Sequence, residues 1–85
     1  MRVVIPTQLR SYTRVNEVQA EGGTVGELLR DLDRQFPGIR FRMVNEQDRI
    51  REHIKIFVNQ ETAEVLDHPL QPGDVVRIIG AISGG

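Results

Sequence analysis

The sequence has eighty-five residues, eleven basic and twelve acidic, for a net charge of −1. That describes one small domain and argues against a phosphate-backbone binder. The absence of cysteine excludes disulfides, thiolate zinc sites and thiol nucleophiles. No run approaches the ~18 apolar residues of a membrane span and no signal-peptide core opens the chain, so a cytoplasmic protein that needs no membrane is expected.

Arg2-Val3-Val4-Ile5 is a short β-branched run stopped by Pro6, the pattern of a first strand. Pro6 to Arg10 turns away, and Ser11 to Arg14 continues the connection. Val15 to Ala20 reads as the second strand, with Asn16, Val18 and Ala20 sharing one face. Thr24-Val25-Gly26-Glu27 then forms a capping box, in which the Thr24 hydroxyl accepts from the Glu27 amide and the Glu27 carboxylate reaches back. Val25, Leu28, Leu29, Leu32 and Phe36 follow at helical spacing, and Pro37-Gly38 ends the helix. Asp31 and Asp33 read as part of its solvated face.

Residues 39–53 fit a strand, because Ile39, Phe41 and Met43 alternate with Arg40 and Arg42, and fit a short helical turn equally well. Arg40, Arg42, Arg49 and Arg51 make this lobe locally basic. Glu46, Asp48 and Glu52 point to a self-neutralised loop, with a docking patch for an acidic partner as the sharper reading. Ile54 to Asn59 is the clearest strand, with Ile54, Ile56 and Val58 on one face and Lys55, Phe57 and Asn59 on the other. Thr62 to Leu66 reads as a weaker strand, and Pro72-Gly73-Asp74 as a tight turn. Val75 to Ile79 is the last strand, sending Val76 and Ile78 inward.

One helix across one face of a mixed sheet of four to five short strands is an α+β roll. Nothing covers the other face, where Val4, Phe57, Val75 and Ile79 fall among Arg2, Lys55 and Arg77, an apolar cluster ringed by positive charge that reads as a partner surface. The chain divides into a domain over 1–80 and a tail over 81–85, Ala81-Ile82-Ser83-Gly84-Gly85. Extended, those five residues span roughly 17 Å. A terminal glycine leaves a carboxylate with no side chain beside it, so an enzyme can close a narrow channel on the backbone and still reach the carbonyl carbon. His53 and His68 lack ligand spacing, so no metal is expected. Gly22-Gly23 is in no phosphate-binding pattern, and no nucleophile, base and acid stand in a catalytic order.

These segments together resemble the ubiquitin-like β-grasp sulfur carriers. The resemblance runs the whole length: Ile5-Pro6-Thr7-Gln8-Leu9-Arg10, Gly23-Thr24-Val25-Gly26-Glu27-Leu28-Leu29, Ile56-Phe57-Val58-Asn59, Pro72-Gly73-Asp74-Val75-Val76 and the closing Gly84-Gly85. Gln60 and the Ile82-Ser83 pair depart from the usual pattern and bear on the choice of partner. The resemblance implies a monomeric carrier that is not an enzyme and binds no cofactor. An adenylating, E1-like enzyme would use ATP to activate the Gly85 carboxylate, and a sulfur donor would turn it into a thiocarboxylate. Ala81, Ile82, Ser83 and Gly84 would be read as the tail threads the enzyme, and a biosynthetic enzyme would accept the sulfur. In look the chain is nearest the carriers that serve cysteine biosynthesis or related pathways. The molybdopterin synthase small subunit and a ubiquitin-like modifier conjugated through Gly85 are the alternatives.

Overall fold

In the computed structural model, which describes residues 1–80, the β-branched runs pair as five strands: β1 (Arg2–Val4), β2 (Glu17–Gln19), β3 (Ile54–Val58), β4 (Glu61–Ala63) and β5 (Val75–Gly80). Their order across the sheet is β2-β1-β5-β3-β4. β1 and β5 run parallel and every other pair is antiparallel. The last strand therefore lies in the middle of the sheet, held on both edges. This is the mixed α+β roll expected, with five strands.

Pleat alternation decides what each strand buries. Val3 on β1, Ile54, Ile56 and Val58 on β3, and Val76 and Ile78 on β5 all point inward and are buried. Against them lies the helix α2 (Val25–Gln35), whose Val25, Leu28, Leu29 and Leu32 are fully buried. Each such side chain contributes on the order of 1.5–3 kcal/mol by leaving water. At its start the Glu27 amide donates to Thr24 Oγ1 at 3.2 Å, and the Glu27 carboxylate accepts from the Gly23 amide at 2.8 Å. The reciprocal arm thus reaches one residue further back than the usual box.

Three sequence expectations change in the structure, and one left open, at residues 39–53, is resolved. The strand expected over Thr62–Leu66 is β4, Glu61–Ala63. Beyond Ala63 the chain leaves the sheet to serve α2, where the carbonyls of Leu66 and His68 accept from the amides of Gly26 and Val25. First-turn amides of a helix have no partner within it, and this segment supplies one. The strand expected over Val15–Ala20 is reduced to Glu17–Gln19. Its connection from β1 contains a 3₁₀ turn (Thr7–Leu9) and the short helix α1 (Arg10–Thr13), which ends on Arg14 in the left-handed region at φ 66°.

Residues 39–53 open with a third helix, α3 (Ile39–Met43). Ile39 and Met43, four apart, are buried while Phe41 stays 56% exposed, so the helical alternative holds over the strand. Finally, Asp31 and Asp33 are connectors rather than a solvated face. Asp33 Oδ1 accepts from the amides of Gly38 and Arg40, both at 3.1 Å, and so caps α3. The Asp31 carboxylate accepts from the Glu21 amide at 3.0 Å and from Arg34 at 2.9 Å. Among the described residues no helix is long and apolar enough to cross a membrane.

Candidate docking face and tail root

The central strand delivers the chain to Gly80, which pairs with Ile54 across the β3–β5 ladder. There the Gln8 side-chain amide donates from Nε2 to the Gly80 carbonyl at 2.8 Å. Gln8 is placed by the 3₁₀ turn after β1. Pro6 enters that turn extended at φ −74°, the Leu9 amide closes it on the Pro6 carbonyl at 3.0 Å, and buried Leu9 anchors it in the core. A Cβ at position 80 would stand 2.9 Å from Gln8 Oε1, so a side chain there would push the flexible end of Gln8 aside. Beside it runs a groove of about 660 Å³, lined among others by Val4, Pro6, Gln8, Arg77 and Ile79.

The register assembles the uncovered face row by row. Val4 on β1 pairs with Arg77 on β5, and Arg77 pairs with Phe57 on β3. Thr62 and Glu17 extend that row to the two edge strands. One pleat toward the start of β5 is Val75, opposite Arg2. One pleat toward its end is Ile79, opposite Lys55. The five residues expected to make a partner surface, Val4, Phe57, Val75, Arg77 and Ile79, thus form one contiguous patch over three strands. Only Arg77 and Ile79 are exposed, Ile79 at 42%, while Val4, Phe57 and Val75 are half-buried. Arg2 is tied to Glu17 at 2.6 Å. Among the described residues Arg77 and Lys55 form no ion pair, so the patch presents positive charge at its centre and near the tail root.

The basic lobe on the helical side is mostly used internally. Arg40 pairs with Asp48 at 3.2 Å. Arg42 donates to the Tyr12 hydroxyl at 2.9 Å, a bond that raises its pKa. The Arg51 guanidinium lies 4.6 Å over the Phe41 ring and donates to the Phe41 carbonyl. This favours the structural reading of the lobe over a docking patch. Neither histidine joins a metal-holding cluster among the described residues. Gln8 is the residue whose part at the tail root the sequence alone did not reveal. It stood in a quoted motif, yet a bond across 72 residues leaves no periodic trace in a chain. Ala81, Ile82, Ser83, Gly84 and Gly85, the expected tail-recognition and attachment residues, lie outside the described residues.

Comparison with known proteins bears on the whole chain. The ThiS family model matches residues 3–85. The sulfur carrier protein CysO of Mycobacterium tuberculosis is 33% identical over 89 aligned positions, covering 98% of this chain and 96% of that protein. Among solved structures, the Amycolatopsis orientalis BexX/CysO complex contains a chain of TM-score 0.90 and 34% identity, with 99% of this chain and 98% of that one covered. SAMP1 from Haloferax volcanii superposes with TM-score 0.80 at 25% identity, over 100% of this chain and 98% of that one.

Proposed function

The chain belongs to the ThiS family, and on that footing we propose that it is a sulfur carrier whose Gly85 carboxylate is activated by a partner enzyme and converted to a thiocarboxylate. The observation that carries the reading is a ThiS family match that runs through Gly84-Gly85, beside 33% identity to a sulfur carrier protein over 98% of the chain. A free carboxylate is a poor electrophile, being negative already and having oxide as its leaving group. Adenylation supplies AMP as a leaving group, and a persulfide or sulfide then takes its place. In this reading ATP and the sulfur donor belong to the activating enzyme. The chain itself binds no cofactor and catalyses nothing; it brings a reactive terminus on a rigid body. The thiocarboxylate sulfur is then the nucleophile that an accepting biosynthetic enzyme uses, in a pathway leading to cysteine or a related sulfur-containing metabolite.

Two features of the structure suit that task. The half-buried Val4-Phe57-Val75 patch with Arg77 and Ile79 gives a partner an apolar seat with a charged centre. The Gln8 contact fixes where the tail departs from that seat. The Amycolatopsis CysO is itself found in a complex with another protein, BexX, which supports a protein partner here.

Incubated with its activating enzyme, ATP and a sulfur donor, the chain gains the mass of one oxygen-for-sulfur exchange, and fragmentation places the gain on Gly85. Deleting Gly85 shortens the reach by roughly 3.5 Å and abolishes the gain. Adding a residue after Gly85 abolishes it as well, because the carboxylate then lies beyond the reacting atoms. Sulfur acquisition by the extended chain without prior trimming would refute the assignment.

A further inference from the structure

Acyl activation at a C-terminus endangers thiols and amines on the same molecule, since they form the stable or readily exchanged acyl products, and this chain has almost none. It contains no cysteine, and ten of its eleven basic residues are arginines. A guanidinium stays protonated and does not attack an acyl carbon. The Met1 amine is engaged by the fold, donating to the Ala20 carbonyl at 2.6 Å and to the Glu21 carboxylate at 2.8 Å, with the Met1 side chain only 4% exposed. One aliphatic amine remains, that of the single lysine, Lys55. It is exposed, on the outer face of β3, directly opposite Ile79 and one pair away from Gly80 where the tail begins.

We propose that Lys55 is an intramolecular acceptor site for the activated Gly85 acyl group, forming a Lys55–Gly85 isopeptide. This rests on the reading of Gly85 as the activated residue. Five residues from Gly80 span up to roughly 17 Å, ample to return to a side chain rooted beside Ile79. Tethering at such a short span corresponds to an effective concentration in the millimolar range, well above that of a second molecule in dilute solution. The neutral Nζ lone pair attacks the Gly85 carbonyl carbon and the C–N bond forms. The acyl bond to the leaving group, AMP in an adenylate or a thiol in a thioester, breaks. The leaving group departs with the electron pair, and the Nζ proton passes to solvent. No oxidant or reductant is needed. Lys55 also borders the face assigned to the partner, so a partner docked there would restrict access to the amine while the terminus is activated.

The test supplies activation chemically. The full chain is prepared as a Gly85 thioester with a small alkanethiol and held at micromolar concentration and mildly alkaline pH. The expected product has the mass of the thioester less the thiol, runs as a monomer, and yields a branched Lys55–Gly85 peptide on digestion. Lys55→Arg keeps the charge and lowers the yield at least about tenfold, since the guanidinium is no nucleophile. Thioester hydrolysis alone, an amide at Met1, or a Lys55-linked dimer as the main product would each overturn the proposal. Because no activating enzyme takes part, failure here leaves the sulfur-exchange experiment untouched, and failure there leaves this result standing.

Discussion

Asp74 accepts from the Gln71 amide at 2.8 Å and from Asn59 Nδ2 at 3.0 Å, while Asn59 Oδ1 accepts from the Val75 amide at 3.0 Å. This small relay ties the turn before β5 to the end of β3. The Gln71 bond first, and then the Asn59 bond, holds the Asp74 carboxyl below its usual range. A carboxyl depressed in the folded state stabilises the protein above its unfolded value of about 3.9, and that contribution is lost as pH falls through the lower folded value. Urea midpoints measured from neutral pH downward therefore decline in the acid range, and Asp74→Asn declines less steeply there. Parallel curves would mean the relay is not formed in solution. At the other end of β5, Gln8→Ala removes one exposed hydrogen bond to Gly80 and costs no more than ~1.5 kcal/mol. Gly80→Ala displaces the same amide group. The two substitutions act on one contact, so their effects on the Gly80 environment, followed by NMR amide shifts, should not add.

At the scale of elements, α2 is where local and tertiary signals agree. Thr24→Ala removes the Oγ1 acceptor of the Glu27 amide and lowers stability by about 0.5–2 kcal/mol in a denaturant titration. Leu29→Ala, in the fully buried stripe, costs about 2–5 kcal/mol, the larger loss because a cavity opens beneath the helix. Agreement of that kind also explains what could be read in advance. The capping residue, the apolar stripe of α2 and the alternation along β3 and β5 are written in adjacent residues, and so was the parity that sends Val76 inward and Arg77 outward. What was not legible depends on distant partners. Thr62–Leu66 has the residue types of a strand, yet beyond Ala63 the carbonyls of Leu66 and His68 are taken by the first turn of α2. Asp33 looks like any solvated helix acid until the chain turns at Gly38, φ 96°, and brings the amides of α3 to it. The outer face was legible because β periodicity assigns faces. The burial of Val4, Phe57 and Val75 within it was not, because it depends on neighbours across strands.

For the molecule as a whole, the two faces of the sheet divide the work. The inner face and α2 supply stability, and the outer face carries few stabilising contacts. A substitution on that outer face should therefore separate recognition from folding. Ile79 is the sharpest probe: 42% exposed, on the central strand, and paired with Lys55 next to the Gly80 root. Ile79→Glu places a carboxylate near Lys55 and Arg77, so its effect on the isolated chain falls within the ±0.5 kcal/mol typical of surface positions. In a docked complex the same carboxylate would lie in an apolar seat. An interfacial charge left without a partner there costs several kcal/mol, enough to weaken binding to the activating enzyme by at least about tenfold. Circular dichroism and a denaturation curve establish that the variant folds, and a binding titration reads the loss. Val65→Glu, at a more exposed apolar position outside the sheet, serves as the control and should bind as the parent does. If both variants bind normally, the activating enzyme approaches the tail from another side. If both fail, the interface wraps onto the helical side as well. Loss confined to Ile79→Glu places the partner on the face from which Gly80 sends out the terminus.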